Sequence, residues 1–127
     1  MKTMSWNLFA AGCQMIKVSI DKKSINIKNI YGIPRGGLVV AVQLSHLLNI
    51  PLTNKPNPNY TLIVDDICDS GKTLEKYKDY NTATLYYNLE AIVKPDFWAF
   101  VQDDFIKFPW ETEETAKVDY LEKMKGD

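Results

Sequence analysis

The chain has 127 residues, of which 46% are hydrophobic and 24% charged, and its formal net charge is -1. These values predict one globular domain over residues 1–127, and they exclude a disordered chain, a membrane-spanning protein and a protein with the overall basic field that binds nucleic acid. The two cysteines, Cys13 and Cys68, form no C-x-x-C arrangement. They therefore indicate neither a zinc site nor a disulfide framework, and they favour a reducing cytoplasm.

The first half of the sequence predicts a helix, a strand and a second helix. Ser5 can cap a helix whose apolar residues recur at spacings of three and four as far as Ile20. I-Y-G-I over residues 30–33 is typical of a short buried strand. The loop P-R-G-G leads from this strand into an apolar helix that ends near Asn49. A polar connector with two prolines follows, over residues 53–59.

The second half predicts the same change from strand to helix. T-L-I-V over residues 61–64 indicates a fully buried strand, which a helix over about 72–80 follows. A-T-L-Y-Y (83–87) and W-A-F-V (98–101) predict two more strands, and the acidic stretch at 111–114 predicts a solvated segment or a helix start. Strands that alternate with helices predict an α/β fold with an open, mostly parallel sheet and crossover helices. Ligands bind such sheets at the carboxyl ends of the strands.

The loop D-D-I-C-D-S-G-K-T, residues 65–73, combines two kinds of chemistry. Its second half opens a helix, where backbone N–H groups attract a phosphate and Gly71 lets the backbone approach it. S-G-K-T also ends the P-loop of nucleoside triphosphatases, but that motif requires glycine where this chain has Asp66, so we exclude it. Asp65 and Asp66 place two carboxylates beside the phosphate, which a sugar diol and Mg²⁺ would balance.

The other loop, P-R-G-G, offers donors for a second anion. Gly36 and Gly37 expose backbone N–H groups, and Arg35 provides a forked donor suited to diphosphate oxygens. A ligand that satisfies both loops has a monophosphate at one end, a diol in the middle and a metal-chelating diphosphate at the other end. Phosphoribosyl pyrophosphate has this structure.

Both loops resemble those of a known enzyme family. L-I-V-D-D-I-C-D-S-G-K-T-L, residues 62–74, is similar to the phosphoribosyl-pyrophosphate signature of the type I phosphoribosyltransferases. S-W-N-L-F, P-R-G-G-L-V and D-D-F-I-K-F-P-W-E are similar to segments of the xanthine-guanine and hypoxanthine branch. The resemblance implies Mg²⁺-dependent transfer of the phosphoribosyl group from phosphoribosyl pyrophosphate to a purine base, most readily a 6-oxopurine. The products would be a nucleoside monophosphate and pyrophosphate.

The resemblance also assigns roles to individual residues around the phosphoribosyl group. It implies that Asp65 and Asp66 bind the ribose hydroxyls and Mg²⁺, and that Asp69 lies near a purine ring nitrogen as a candidate general base. Arg35, after a peptide bond that is often cis in the family, would bind the diphosphate with the two glycines and stabilise its departure. The residues of the 5'-phosphate loop would be Ser70, Gly71, Lys72 and Thr73.

The side that would bind the base departs from the family pattern. The resemblance implies that Phe105 stacks on the purine and that backbone groups at Ile106 read its edge, and Glu111 is a weaker match. Relatives carry after the third strand a Lys that recognises the exocyclic oxygen. Here that position is Asn88, unless the register slips by six residues onto Lys94. An amide keeps the hydrogen bond without the charge, so the choice of base stays open.

The connector between the second helix and the second strand also departs from the family. Relatives usually carry a long flexible loop there that closes over the reacting centre, whereas residues 49–60 are too few to do so. This favours an alternative, a non-catalytic protein that binds phosphoribosyl pyrophosphate or a nucleotide and acts as a regulator. The intact acidic residues and the stacking aromatic residue favour the enzyme. Neither alternative requires nucleic acid or membrane as a partner, and both are compatible with a homodimer whose neighbouring subunit covers the site.

Overall fold

The structure is a computed structural model that describes residues 1–124. Within this range the chain forms a four-stranded parallel sheet and a two-stranded parallel sheet, together with helices. In chain order the strands are β1 (Lys2–Thr3), β2 (Asn29–Gly32), β3 (Thr61–Cys68), β4 (Asn81–Tyr87), β5 (Phe97–Val101) and β6 (Ile106–Lys107). The helices are α1 (Trp6–Asp21), α2 (Gly36–Leu48), α3 (Lys72–Glu75) and α4 (Glu113–Met124). The predicted α/β class with a parallel sheet is confirmed, and one domain over 1–127 stays a prediction.

The larger sheet has the spatial order β2-β3-β4-β5, and its two faces are covered differently. Helices α1 and α2 pack together over one face. Alternate residues of a strand point to opposite faces, so Leu62 and Val64 join the main core under these helices. Ile63 joins a smaller cluster on the other face, with Leu74 and Tyr87. The buried strand predicted from T-L-I-V is confirmed.

The two long helices begin and end where the sequence predicts. The Ser5 hydroxyl accepts a hydrogen bond from the Leu8 N–H at 3.0 Å and caps α1. Helix α2 ends at a left-handed residue, Asn49, with φ of 56°. Its apolar residues Val40 and Leu44 are fully buried against the sheet.

Strand β3 continues beyond the apolar run that predicted it. Its pairing with β4 extends from Leu62 opposite Asn81 to Cys68 opposite Tyr87. Asp65 and Asp66, the acidic pair, therefore lie among the last residues of a paired strand and not in a free loop. Hydrogen bonds to β4 hold the backbone there.

Helix α3 is shorter than predicted: it ends at Glu75 and not near Tyr80. The chain after it folds into turns in which aromatic rings pack and are half-buried. The ring of Tyr77 lies 6.3 Å from that of Tyr31 and 5.6 Å from that of Tyr80, and the Tyr80 hydroxyl donates to the Pro56 carbonyl at 3.4 Å. These contacts with distant segments replace the last helical turn.

The connector after α2 lies along the outer edge of the sheet. The Ile30 N–H donates to the Pro51 carbonyl at 3.0 Å, and the Thr53 N–H donates to the Ile30 carbonyl at 2.8 Å. Leu52 forms a parallel bridge with Ile30. The connector therefore covers the edge of β2 and is held by backbone hydrogen bonds.

The sequence analysis did not predict β1 or β6. The N–H groups of Lys2 and Met4 donate to the carbonyls of Phe105 and Lys107 at 2.8 and 2.9 Å, which joins the N-terminal residues to the segment before α4. The acidic stretch at 111–114 was predicted to be either a solvated segment or a helix start, and α4 does begin in it, at Glu113. In the part of the chain that the structure describes, no helix has the length and apolar character needed to cross a bilayer.

Candidate active site

Asp65 and Asp66 lie side by side near the carboxyl end of β3, and both are only partly exposed. The Asp66 N–H donates a hydrogen bond to Asp65 Oδ1 at 2.9 Å. Burial raises the pKa of Asp65 well above its ordinary range, and the negative charge of Asp66 raises it further. Burial also raises the pKa of Asp66. The pair therefore resists carrying two negative charges unless a cation or hydroxyl donors approach it.

A cavity of about 310 Å³ lies on one side of the acidic pair and contains the predicted phosphate loop. Gly71 in this loop has a φ of 88°, and a Cβ atom there would lie 3.0 Å from the backbone nitrogens of Ile92 and Val93. Only glycine fits this conformation and this space without strain. The residues that line the cavity are Asp65, Asp66, Ile67, Cys68, Asp69, Ser70, Gly71, Lys72, Thr73, Leu74 and Glu122.

A second cavity, of about 530 Å³, lies on the other side of the same pair. Arg35 and Gly36 line it, and so do Asp65 and Asp66. The peptide bond between Pro34 and Arg35 is cis, as the family resemblance implies. The structure thus brings the P-R-G-G loop and the phosphate loop together, with the acidic pair between them.

Gly37 has a different position from its neighbour. A Cβ atom on Gly37 would lie 2.5 Å from the Val64 carbonyl oxygen, so this glycine packs tightly against β3. Gly37 is not among the residues that line the second cavity. Its small size lets α2 approach the strand, whereas its predicted role as a ligand donor stays a prediction.

Sequence reasoning noted Glu111 only as a weaker match to the family and missed the rest of the far wall of the second cavity. Glu111 and Asp119 line it, and burial together with the Asp119 carboxyl raises the pKa of Glu111 to about 7. Thr115 lies between them on the same wall, and Glu122 lines the first cavity. Thr115, Asp119 and Glu122 have the spacing i, i+4, i+7 of one helical face, which is the signal that could have identified this side of α4.

Asp69 and Asn88 meet at the mouth of the first cavity. Asn88 Nδ2 donates a hydrogen bond to Asp69 Oδ1 at 2.9 Å, and Asp69 lines the cavity itself. Asn88 directly follows β4, which fits the position predicted for it. The alternative, Lys94, lies elsewhere: its Nζ is 4.8 Å from the ring centroid of Trp98.

Phe105 and Ile106 lie outside the two cavities that contain the acidic pair. The Phe105 ring packs edge-on against Tyr120 of α4, with centroids 5.0 Å apart. Its carbonyl accepts the hydrogen bond from the Lys2 N–H, and the Ile106 side chain is 4% exposed in the core. A third cavity, of about 430 Å³, lies next to this segment and is lined by Asn88, Leu89, Glu90, Val101, Gln102, Asp103 and Asp104.

Comparisons with known proteins agree on the fold. A purine phosphoribosyltransferase from Pyrococcus horikoshii superposes with a TM-score of 0.76 at 27% identity, over 87% of this chain and 94% of that one. The Helicobacter pylori xanthine-guanine-hypoxanthine phosphoribosyltransferase gives 0.75 at 20% identity, over 96% and 98%. A Neisseria gonorrhoeae hypothetical protein with bound ppGpp gives 0.71 at 16% identity, over 98% and 97%. No protein-family model and no curated protein matches the sequence.

These similarities cover 87–98% of the chain. They agree with the resemblance of the two loops in sequence and with the parallel sheet that was expected from it. The chain therefore shares its fold with purine and xanthine-guanine-hypoxanthine phosphoribosyltransferases.

Proposed function

We propose that this protein transfers the phosphoribosyl group of phosphoribosyl pyrophosphate to a purine base, most readily a 6-oxopurine. One observation carries the proposal. Asp65 and Asp66 line two cavities at once, of which one contains the phosphate loop and the other contains Arg35. This arrangement has the order of groups in the ligand: phosphate, ribose diol, diphosphate. The structural neighbours named as purine phosphoribosyltransferases support the same activity.

Each part of the ligand has matching protein groups. The 5'-phosphate would bind the loop of residues 70–73, where backbone N–H groups and two hydroxyls are available as donors. The ribose hydroxyls would donate to Asp65 and Asp66, whose pKa values are raised chiefly by burial. The diphosphate would enter the second cavity beside Arg35, whose guanidinium is suited to paired phosphate oxygens.

The oxygen donors of the acidic pair fit Mg²⁺. This ion usually takes one or two carboxylates, several waters and the phosphates of a substrate. Among residues 1–124, no group of three or more His, Cys, Asp or Glu side chains could hold a metal ion. When bound, Mg²⁺ neutralises negative charge on the diphosphate. Asp65 and Asp66 would hold it.

The reaction breaks the bond between ribose C1 and a diphosphate oxygen, and a purine nitrogen forms the new bond to C1. The bonding electron pair leaves with the diphosphate, where Arg35 stabilises the growing negative charge by about 3 kcal/mol. The sugar becomes transiently cationic, facing Asp65 and Asp66. The attacking base loses a ring N–H proton, which Asp69 accepts.

The purine would occupy the region between Asn88 and Phe105. The third cavity is lined by Asn88 and by residues 101–104, which directly precede Phe105. Tyr120 contacts the Phe105 ring edge-on, and the ring stays partly exposed, so a base could stack on its exposed side. The backbone at Ile106 would then read the edge of the base.

A second candidate function is the binding of phosphoribosyl pyrophosphate or a nucleotide without turnover. The connector over residues 49–60 favours it, because this segment is held along β2 by backbone hydrogen bonds and not poised as a long lid. The Neisseria gonorrhoeae neighbour with bound ppGpp shares the fold. A cytoplasmic location and a homodimer stay predictions under either function.

The two functions are separated by an assay of pyrophosphate release. Hypoxanthine, guanine, xanthine, adenine, orotate and uracil are each supplied with phosphoribosyl pyrophosphate and Mg²⁺, and the Asp65→Asn/Asp66→Asn double variant is the inactive control. We expect release with the oxopurines that the double variant lacks. Release only with orotate or uracil would overturn the purine assignment. No release with any base, together with ligand binding by calorimetry, would establish the binding protein.

A further inference from the structure

The polar atoms of Asn88 are all engaged in hydrogen bonds. Its N–H donates to the Cys68 carbonyl at 2.9 Å, and its carbonyl accepts from the Ala91 N–H at 2.9 Å. In the side chain, Oδ1 accepts from the Glu90 N–H at 3.0 Å, and Nδ2 donates to Asp69 Oδ1 at 2.9 Å. Only one assignment of the amide oxygen and nitrogen satisfies both side-chain bonds, so the orientation of the amide is fixed.

The turn that follows Asn88 is itself attached to the phosphate loop. The Ile92 N–H donates to the Ser70 carbonyl at 2.9 Å, and the Cys68 thiol contacts the Val93 carbonyl at 3.5 Å. Gly71 lies close against the same two residues of the turn. Residues 88–93 thus pack behind the phosphate loop, and hydrogen bonds attach the turn that carries Asn88 to that loop.

We propose that Asn88 is a positioning residue for Asp69. Its amide holds the Asp69 carboxylate in the orientation that accepts the ring proton of the purine, and it acts on the base through Asp69. The inference rests on the proposed function, in which Asp69 is the proton acceptor. A hydrogen bond to the ionised form of a carboxylate also stabilises that form, which is the form a general base requires.

The chemistry of an amide explains why asparagine suits this position. An ammonium group can donate to Asp69 but cannot accept the hydrogen bond of the Glu90 N–H. The amide does both, and it therefore couples the turn over residues 88–93 to the carboxylate. At this position asparagine lacks the positive charge of the lysine in relatives, but it supports Asp69 through a second hydrogen bond to the turn.

A double-mutant cycle tests the inference. We would measure kcat and KM for Asn88→Ala, Asp69→Asn and the double variant with phosphoribosyl pyrophosphate, Mg²⁺ and the best base. Asn88→Ala is expected to lower kcat by about ten- to a hundredfold, the range for a hydrogen bond to a charged group, with little change in the KM of the base. In the Asp69→Asn background the same change should lower kcat by no more than about twofold.

The pH dependence provides a readout that a merely structural role would not move. Asn88→Ala removes a donor from the carboxylate, so the acid limb of the kcat/KM profile should move to higher pH. Asn88→Asp keeps the acceptor for Glu90 but places a like charge beside Asp69, and it should lower kcat at least as much as alanine. Asn7→Asp makes the same charge change at an exposed site on α1 and should leave kcat unchanged.

The outcomes distinguish the positioning role of Asn88 from the proposed phosphoribosyl transfer on which it rests. Losses that multiply in the double variant, or a raised KM of the base with unchanged kcat, would show that Asn88 reads the base directly and would overturn the inference alone. No turnover by the unsubstituted protein with any base would overturn the proposed function and the role of Asn88 with it.

Discussion

Gly36 and Asp66 are in direct contact across the two loops of the site, since a Cβ atom on Gly36 would overlap Asp66 Oδ2. Gly36 follows β2, and Asp66 lies near the carboxyl end of the neighbouring parallel strand β3, so both are at the same edge of the sheet. The hydrogen atom of glycine is the only side chain that lets the Arg35 loop lie this close to the acidic pair.

Gly36→Ala should therefore separate the loops. The added methyl group displaces either the Asp66 carboxylate or the backbone beside Arg35, and we expect a loss of stability of about 1–3 kcal/mol. The affinity for phosphoribosyl pyrophosphate with Mg²⁺ should fall at least tenfold, because the ligand spans both loops. Calorimetry and thermal unfolding measure the two effects. Unchanged affinity would show that the ligand does not bridge them.

Asp65→Asn should stabilise the free protein at pH 8 while it abolishes activity. The pKa of Asp65 is raised in the fold, so its contribution to stability is greatest below the pKa of the unfolded chain and is lost as pH rises. The amide has nearly the same shape and no charge to bury. Thermal unfolding should give the variant a Tm a few degrees higher at pH 8, and the difference should shrink towards pH 4. A variant less stable than the natural protein at pH 8 would contradict this electrostatic account.

Glu111 should make stability depend on pH near neutrality. Its pKa rises from an ordinary value of 4.5 to about 7, chiefly because of burial, then because of contact with Asp119. The protonated form is favoured by folding, so its stabilisation is complete below pH 4.5 and is lost as pH rises through about 7. Glu111→Gln should flatten the fall in Tm between pH 5 and about 8.

The exposed Glu114→Gln provides the matched control for this test, since it removes the same charge from the same segment. The control should follow the pH dependence of the natural protein. If Glu111→Gln and Glu114→Gln have the same Tm profile, then burial of Glu111 does not control the pH response.

Asn88→Lys should change the preference among purines. An ammonium group forms a charge-assisted hydrogen bond to the exocyclic oxygen of a 6-oxopurine, and it can still donate to Asp69. An ammonium group cannot accept a hydrogen bond from the amino group of adenine, so adenine should gain least. We expect kcat/KM for hypoxanthine and guanine to rise relative to adenine by about tenfold. An equal change for all bases would show that a lysine at position 88 does not reach the base.

The loops of the site could be predicted because their chemistry is contiguous in sequence. Residues 65–73 carry the acidic pair and the phosphate loop in one motif, and the apolar run before them identifies the strand. The parallel sheet then brings Arg35 to the same edge. Local patterns of this kind are enough to predict both the fold class and half of the site.

The remaining parts depend on contacts between distant segments. Asp119 and Glu122 line the cavities only because α4 folds back beside them. A two-residue pairing such as β1 with β6 has no periodicity to detect. Helix α3 stops early because Tyr77 and Tyr80 pack against other segments. The bond between Asn88 and Asp69 joins residues 19 apart, and no local pattern indicates it.

The most direct test of the central claim is identification of the product. The purified protein would be incubated with phosphoribosyl pyrophosphate, Mg²⁺ and an equal mixture of hypoxanthine, guanine, xanthine and adenine, and the nucleotides identified by mass spectrometry. Phosphoribosyl transfer predicts a purine nucleoside monophosphate and an equal amount of pyrophosphate, both absent with the Asp65→Asn/Asp66→Asn variant. Phosphoribosyl pyrophosphate that is bound but recovered intact, with no nucleotide formed, would contradict the account.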